Sequence, residues 1–356
     1  MTDKLFILSL GRQGGSVIYG TAIINRIKAP KEVWSSAFSI AEKPSEATVV
    51  KTYNGVLQFL IASFTRLLPM LLKCRHGLKA NRYSVFYTPY FHYWNLPFIL
   101  LFKWYGKQVV ITVHDGIPHS GEGKFLEKWL NMACIKRADD IIFLTAFVRN
   151  AVKAASNFSG KAHVIPHGPI TPEGLLSTNR KFPAKARLLF LGRLGYYKGI
   201  DLLINAVKKI EHPAYDGLTI AGKRQKRLPI RFNDSRIKLI DKWHADAEIA
   251  ELVNTHDILV LPYREATQSG VVTIGISASI PMVCTKTGGL HEQLTDDEAI
   301  FVNPEPDDIH KGIQKLLESP DLYEKISQRL VEKRKQLSWE SITNKIEKII
   351  TQPFSG

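Results

Sequence analysis

The chain has 356 residues, of which 45% are hydrophobic and 23% are charged. This composition is typical of globular proteins and excludes disordered and fibrous classes. The length favours two domains, since a domain usually holds roughly 100–200 residues. A surplus of 48 Lys and Arg over 33 Asp and Glu gives a net charge of +15, which predicts attraction to a nucleic acid, an anionic membrane or a nucleotide.

The sequence indicates neither a secretory signal, nor disulfides or a zinc site, nor a membrane-spanning helix. The first residues have too short an apolar stretch and no small-residue cleavage site, so we expect a cytoplasmic protein. Cys74, Cys134 and Cys284 are odd in number and widely spaced, which predicts buried thiols rather than disulfides or a zinc site. The best candidate for a membrane span, residues 56–72, contains an arginine and a proline and is shorter than the ~20 residues that a span needs. We therefore expect no spanning helix.

Short apolar runs alternate along the chain with longer helical patterns. The first series reads KLFILSL, VFYT, QVVITV, DIIFLT and HVIP, and the second reads RLLFLG, LTIAG, IKLI, DILVLP, PMVCT and AIFV. This alternation is typical of βαβ units with parallel sheets, so we predict an α/β chain with two doubly wound, Rossmann-like domains. The turn-rich segment from Pro169 to Pro183 is the predicted linker between them.

Unusual residues follow the predicted strands, where open α/β sheets bind their ligands. Arg193 and Lys198 come after RLLFL, in a turn that also contains Gly192 and Gly199. A guanidinium fork, a mobile ammonium and a glycine at a helix start are suited to a diphosphate. The alternative is a solvated basic loop, but the strand, turn and helix context favours phosphate binding.

A second turn, after DILVLP, leads into an apolar helix. Gln268, Ser269 and Gly270 lie at this entry, so successive backbone N–H groups and the positive helix end are expected to face an anion. The alternative is an ordinary N-cap formed by Thr267 or Ser269.

The motifs together resemble a known family. GRLGYYKGIDLLINAV, LTIAGK, DILVLPYREATQSGVV and TKTGGLHEQL, in this order and spacing, resemble the C-terminal domain of family 4 retaining glycosyltransferases. TVHDGIPHSGE, RADDIIFLT and VIPHGP resemble the N-terminal half of that family. The resemblance covers nearly the whole chain and implies the GT-B fold, in which two Rossmann-like domains face a central cleft.

The resemblance also implies a role for each part of the chain. Residues 1–172 would bind the acceptor, residues 173–337 would bind the nucleotide sugar, and a helix at 338–356 would cross back to the first domain. Arg193, Lys198 and His114 are the expected catalytic residues, with His114 beside the transferred sugar. The expected donor-binding residues are Gly14, Gly15, Gly192, Gly199, Glu265, Gln268, Ser269, Gly270 and Val271, and the acceptor-side candidates are Asp115 and His119. For His114 the alternative is a strand-end residue that is hydrogen-bonded to the backbone.

The sequence departs from the family at one point. The family has two glutamates separated by seven residues, the first near the sugar and the second on the ribose. Counting back from Pro281 places these positions at Ala266 and Ile274, with Glu265 one residue early. The second acid is missing, so the ribose contact must come from other groups, and Glu265 is either a sugar ligand or an exposed loop acid.

The expected reaction is a retaining transfer from an NDP-sugar as substrate, with no cofactor and no metal. Asp139-Asp140 and Asp296-Asp297 are adjacent pairs rather than the Asp-x-Asp motif of metal-dependent enzymes, and are better explained as helix-end or loop charges. Aromatic residues between Tyr83 and Tyr105, preceded by basic residues, are mostly core candidates. The rest would suit a peripheral enzyme that meets a polyprenyl-diphosphate-linked acceptor at the anionic inner membrane surface.

Three other interpretations stay open at this stage. A hydrolase or epimerase acting on NDP-sugars would bind the donor in the same way. The missing glutamate also allows a non-catalytic sugar-nucleotide-binding protein. A nucleic-acid-binding protein would account for the positive charge, but the basic residues are scattered and no nucleic-acid-binding motif is present.

Overall fold

The structure is a computed structural model that describes residues 4–39, 44, 46–53, 55–116, 125–225 and 230–353. These residues form two compact units. The first contains described residues up to 116, residues 125–167 and the terminal residues from 339 onward, and the second contains Gly168–Ser338. The predicted boundary after residue 172 therefore lies just inside the second unit.

The first unit is built on a parallel sheet. Within the described ranges, its seven strands are β1 (Lys4–Ser9), β2 (Lys31–Ser36), β3 (Thr48–Val50), β4 (Tyr83–Thr88), β5 (Gln108–Val113), β6 (Asp140–Phe143) and β7 (Lys161–Val164). They lie in the order β3-β2-β1-β4-β5-β6-β7. The strand order reverses between β1 and β4, which is where a doubly wound sheet opens a crevice for ligands. The runs that form β2 and β3 were absent from the sequence prediction, because β2 begins with two charged residues and β3 is short.

Helices cover both faces of this sheet. They are α1 (Gly15–Ile24), α2 (Val56–Ala62), a π-helical turn (Ser63–Leu67), α3 (Leu68–Lys79), α4 (Asn95–Trp104), α5 (Phe125–Ile135) and α6 (Ala146–Ala155). Alternate residues of a strand point to opposite faces. Phe6 and Leu8 of β1 accordingly pack under α2 to α6, whereas Leu5 and Ile7 pack under α1.

The second unit repeats this architecture. Its strands are β8 (Ala186–Leu191), β9 (Tyr215–Ala221), β10 (Ile237–Ile240), β11 (Ile258–Leu261), β12 (Met282–Thr285) and β13 (Ile300–Val302), in the order β10-β9-β8-β11-β12-β13. Its helices are a 3₁₀ turn (Tyr196–Lys198), α7 (Ile200–Val207), α8 (Asp246–Asn254), α9 (Gly270–Ala278), α10 (Leu290–Gln293), α11 (Pro306–Leu317) and α12 (Pro320–Gln336). Two parallel, doubly wound α/β units confirm the predicted fold class.

The segment predicted as a linker packs against the second unit. The Arg180 guanidinium donates hydrogen bonds to the carbonyls of Val253, His256 and Ala278, at 3.0, 2.7 and 3.1 Å. Because one side chain satisfies three carbonyls, the extended chain around Arg180 is fixed to this unit. Turn-forming residues here mark an irregular path along the second unit.

The last helix, α13 (Trp339–Thr351), belongs to the first unit. Ile342, Ile346 and Ile350 are buried in the core that also contains α1. The Glu347 carboxylate accepts hydrogen bonds from the backbone N–H groups of Lys28 and Ala29, at 2.8 and 2.6 Å. The apolar stripe of this helix thus covers the sheet face that α2 to α6 leave open.

The helix that starts at Val56 corrects one prediction. α2, the π-helical turn and α3 are continuous, and residues Leu57–Lys79 form a helix of 23 residues that contains an 18-residue window with a mean hydropathy of 1.3. By length and composition alone this helix is able to cross a membrane, so the argument that it is too short was wrong. The sequence pattern was cut at Leu72 because the next residues are charged, yet the helix continues to Lys79.

The aromatic segment between Tyr83 and Tyr105 is mainly core. Tyr87, Tyr90, Trp94 and Phe98 are buried, whereas Trp104 is exposed. The helical pattern alone does not show this, because α4 is apolar on nearly every side.

The three cysteines are buried and carry no disulfide. Burial raises the pKa of Cys134 to about 12 and also raises the pKa of Cys74 and Cys284. Their burial confirms the prediction of buried thiols.

Packing of the terminal helix leads to a stability prediction. Replacing the fully buried Ile346 by Ala should lower the free energy of unfolding by about 2–5 kcal/mol, because a cavity opens in the core. The adjacent change Lys345→Ala is the matched control, and should change stability by less than about 0.5 kcal/mol because this side chain is exposed. Denaturant titration measures both, and equal values for the two variants would contradict the packing.

Candidate functional site

In the second unit, the loop after β8 carries the basic turn found in the sequence. Gly192 has a φ of 127°, a value that favours glycine, and its N–H donates to the Ala221 carbonyl at the end of β9. The carbonyl of Gly192 lies 1.7 Å from where a side chain on Gly222 would begin, so both loops need glycine to lie side by side. Arg193 follows and is exposed at the carboxyl edge of the sheet.

The loop after β11 lies against this turn. Gly199 has a φ of 63°, and a Cβ added there would stand 1.9 Å from the Pro262 carbonyl oxygen. The Arg264 guanidinium makes a bidentate contact with Asp201, at 2.7 and 2.6 Å, which holds the pKa of Asp201 below its usual range. Strands β8 and β11 are neighbours at the point where the strand order reverses, so these loops meet at the predicted binding edge.

Lys198 is held by an aromatic ring in this contact. Its ammonium lies 3.5 Å from the centroid of the Tyr263 ring, a cation–π interaction. Tyr263 is fully buried and its hydroxyl is 3.3 Å from the Ser269 hydroxyl. The Tyr263 carbonyl accepts hydrogen bonds from Thr285 and Thr287, at 2.6 and 3.1 Å. The cation is therefore fixed close to the turn that leads into α9.

The start of α9 differs in one detail from the expectation. The Ser269 N–H donates to the Gln293 side-chain oxygen at 2.7 Å, and the Gln293 amide donates back to the Ser269 carbonyl at 3.2 Å. This N–H is thus occupied, whereas Gly270 and Val271 are the first helical residues, whose N–H groups have no acceptor within the helix. Ser269 is the N-cap residue of α9, but its side chain makes no capping hydrogen bond. Gln293 was missed because its partner is distant in the sequence.

Where the family has two glutamates, this chain has two apolar residues, with a glutamine amide nearby in the sequence. Ala266 and Ile274, at the positions of the family glutamates, are both buried. Glu265 is half-buried, and its N–H donates to the Tyr197 carbonyl at 3.3 Å. Among the described residues, the Gln268 side-chain oxygen is a buried acceptor without a hydrogen-bond partner. An unsatisfied buried acceptor is costly, so a donor group of a ligand would be stabilised there.

In the first unit, the glycine loop follows β1 and opens α1. Gly14 has a φ of 97°, and a Cβ on either Gly14 or Gly15 would meet no atom within 4 Å. The loop is anchored from below by the Tyr90 hydroxyl, which is 2.7 Å from the Ser9 hydroxyl and accepts from the Gly11 N–H at 3.1 Å. The two glycines therefore border open space at the carboxyl end of β1.

His114 lies at the end of β5 and is buried. Its Nε2 is 3.0 Å from the Pro89 carbonyl, and because a carbonyl only accepts, this nitrogen must carry the proton. Burial lowers the pKa of His114, so the ring is neutral at pH 7 and Nδ1 is left as an acceptor. The backbone hydrogen bond of the alternative interpretation, a strand-end histidine, is therefore present. The same bond leaves Nδ1 without a proton, so this atom is able to accept a hydrogen bond.

The acceptor-side candidates are less defined. Asp115 is exposed next to His114, and its carbonyl accepts a hydrogen bond from the Asn131 amide at 3.2 Å. His119 lies outside the described residues. Within the parts of the chain that are described, no three His, Cys, Asp or Glu side chains are close enough to hold a metal ion.

Close packing at Gly199 generates a prediction. The change Gly199→Ala should lower the free energy of unfolding by more than about 1 kcal/mol, because its Cβ would collide with the Pro262 carbonyl at a positive φ. Gly15→Ala is the control, and should be neutral or slightly stabilising because it starts a helix and borders open space. Thermal melts of both variants measure the difference, and an unchanged melt for Gly199→Ala would refute the contact.

Comparison with known proteins gives a consistent result for both units. The family described as Glycosyltransferase Family 4 matches residues 32–169, and the family described as Glycosyl transferases group 1 matches residues 185–319. An uncharacterised glycosyltransferase of Methanocaldococcus jannaschii is 26% identical over 67% of each chain. A GDP-mannose:glycolipid 4-beta-D-mannosyltransferase of Xanthomonas campestris is 23% identical over 50% of each chain. The chain thus spans about half the length of the latter relative.

Solved structures show the same fold. Sucrose-phosphate synthase from Thermosynechococcus elongatus has a TM-score of 0.75 at 15% identity, over 98% of both chains. Anabaena HepE in complex with UDP-glucose has a TM-score of 0.73 at 15% identity, over 98% of this chain and 99% of that one. Two matched family models and these folds show that the chain belongs to the family 4-like glycosyltransferases of the GT-B fold.

Proposed function

We propose that this chain is a retaining, metal-independent hexosyltransferase that moves a sugar from an NDP-sugar to a lipid-linked or saccharide acceptor in surface polysaccharide synthesis. The observation that carries the proposal is the cationic edge of the second sheet. Arg193, Lys198 and the N–H groups that begin α9 all follow β8 or β11, the two strands that flank the reversal of strand order.

The chemistry follows from where charge develops. As the anomeric bond of the donor breaks, negative charge grows on the leaving diphosphate. Cations and amides that are already fixed there stabilise the transition state more than the ground state. Lys198 is fixed by Tyr263, and α9 is fixed by the Gln293 amide. Arg193, Lys198 and the helix start thus supply the positive charge that a metal supplies in other transferases, which is why we propose independence from metal.

Donor recognition is expected to differ from the family pattern. Ile274 replaces the acid that would bind the ribose, so we assign ribose or sugar contacts to Gln268, whose oxygen lacks a partner, and to Glu265 nearby. In the first unit, Nδ1 of His114 is an acceptor suited to a sugar hydroxyl. The HepE structures contain UDP, and the Xanthomonas relative is named for GDP-mannose. Sugars linked to UDP or to GDP are therefore candidate donors.

A lipid-linked acceptor is favoured by two observations. Two relatives are named for lipid acceptors. They are the glycolipid mannosyltransferase of Xanthomonas campestris and the phosphatidylinositol N-acetylglucosaminyltransferase gpi3 subunit of Schizosaccharomyces pombe. The net charge of +15 favours an anionic surface. We accordingly propose a polyprenyl-diphosphate-linked glycan as acceptor, and peripheral binding at the inner face of the plasma membrane.

Removal of either basic side chain should slow the reaction and weaken nucleotide binding. Arg193→Ala and Lys198→Ala should each lower kcat by about 10²–10³, the loss typical of a removed charge-stabilising group. They should also reduce the thermal stabilisation produced by UDP, GDP or ADP, because ligand binding to the native state raises stability. Lys238→Ala, an exposed cation on β10, is the control and should keep wild-type values.

Two results would contradict this assignment. Wild-type turnover in Arg193→Ala or Lys198→Ala would remove the basic pair from the mechanism. Loss of activity in EDTA that Mg²⁺ or Mn²⁺ restores would show that a metal carries the charge instead.

Product analysis tests the reaction type. A retaining transfer from an α-linked donor should give an α-glycoside, which NMR identifies from the one-bond carbon–hydrogen coupling at the anomeric position. A β-glycoside, as in the name of the Xanthomonas relative, would overturn retention while leaving transfer intact. Free sugar or an epimerised donor as the sole product would identify a hydrolase or an epimerase instead.

A further inference from the structure

A row of apolar side chains lies exposed along the helix from Val56 to Lys79. Leu57, Leu60, Ile61, Phe64, Leu68 and Leu72 recur at intervals of three or four residues, which places them on one side of the helix. Leu57 and Phe64 are 73% and 79% exposed. We call these six residues the helical stripe. Contiguous exposed apolar surface of this length marks an interaction site.

The opposite side of the same helix is packed into the first unit. Ala62, Met70, Cys74 and Leu78 are buried in the core beneath it. The Ser63 hydroxyl also accepts a hydrogen bond from the Trp94 indole at 3.0 Å. A helix that packs one side into the core of the first unit cannot be surrounded by lipid. The arrangement fits a helix that lies in the membrane interface rather than one that spans the bilayer.

Exposed aromatic residues extend the stripe onto neighbouring helices of the same sheet face. Phe125 and Trp129 of α5 are 87% and 55% exposed, and Trp104 of α4 is 87% exposed. α2 and α5 are joined through Tyr93, whose ring is 5.6 Å from Phe59 and whose hydroxyl donates to Glu127 at 3.0 Å. Tryptophan is enriched at the headgroup level of membranes, which is where this arrangement would place it.

The charge around the stripe identifies its partner as anionic. Residues 47–114 contain no Asp or Glu but eight basic residues, namely Lys51, Arg66, Lys73, Arg75, Lys79, Arg82, Lys103 and Lys107. Lys73, Arg75 and Lys79 are exposed at the end of the helix that carries the stripe. Apolar side chains next to basic ones match acyl chains beneath anionic headgroups. A second protein would need complementary acids, whereas a bilayer supplies both features.

We propose that the helical stripe, with Phe125 and Trp129, inserts into the headgroup region of one leaflet of an anionic bilayer. The inference rests on the proposed lipid-linked acceptor and adds the face that meets it. The start of the stripe adjoins the glycine loop, because the Arg12 guanidinium donates to the Tyr53 carbonyl at 3.2 Å and packs over the Tyr53 ring. Docking by this face would bring an acceptor headgroup to the loop that contains Gly14.

Vesicle flotation tests the docking face. In vesicles of phosphatidylcholine with about 30% phosphatidylglycerol, the wild-type chain should float at low salt, since such headgroups attract basic segments. Leu57→Ser with Phe64→Ser should reduce the bound fraction about tenfold or more, because two exposed apolar side chains are lost. Leu176→Ser with Trp243→Ser removes two exposed apolar residues from the second unit, and should float like wild type.

A charge pair gives an independent comparison. Arg75→Gln with Lys79→Gln should weaken flotation at low salt by about tenfold, since each cation near the surface contributes to binding. Lys345→Gln with Lys348→Gln removes two exposed cations from α13, on the other face of the same sheet, and should have no effect. Equal flotation of all variants, or no flotation of the wild type, would overturn the proposal.

Two further measurements separate the possible failures. Alkaline carbonate should release the bound wild-type chain, and retention would show a spanning helix instead of a surface one. Thermal melts and NDP binding of each variant should match wild type, because the substituted residues are exposed and lie outside the donor site. Normal transfer to a soluble acceptor without flotation would sink the docking face while leaving the proposed function standing.

Discussion

The proposed donor site depends on one close approach between two loops. The Pro262 carbonyl lies where a side chain on residue 199 would begin, so only glycine allows the loops after β8 and β11 to touch. That contact brings Lys198 over Tyr263, and Tyr263 in turn lies beside the start of α9. Lys198, the Tyr263 ring and the start of α9 thus form one packed edge. This packing is possible because residue 199 has no side chain and the Pro262 carbonyl fills that space.

Rigidity at this edge has a catalytic meaning. Groups that are fixed before the reaction need no reorganisation when charge develops on the leaving group. The Arg264 and Asp201 pair and the Gln293 clamp on Ser269 provide this fixation from outside the set of groups expected to touch the donor. Ile274 stands where the family has an acid, on the expected ribose side, while the basic residues of the proposed phosphate-binding edge are present. On this proposal, diphosphate binding and sugar recognition depend on different residues.

The sequence predicted the parts of the fold that depend on local pattern. Every strand of the second unit was recognised, as was the position of Arg193 and Lys198 at a strand end, because buried parallel strands are short apolar runs with turns after them. β2 was missed because Lys31 and Glu32 interrupt its apolar character. Gln293 was missed because its role is a hydrogen bond to a residue 24 positions away, which no local pattern reveals. The helical stripe was also hidden, since an apolar helix does not show which of its sides faces the core.

A crystal structure with a bound nucleoside diphosphate would test the central claim most directly. We predict that the diphosphate oxygens lie within hydrogen-bond distance of the Arg193 and Lys198 side chains and of the N–H groups of Gly270 and Val271. Gln268 should contact the sugar or the ribose. A diphosphate bound away from the edge formed by the loops after β8 and β11, with Arg193 and Lys198 turned to solvent, would contradict the account.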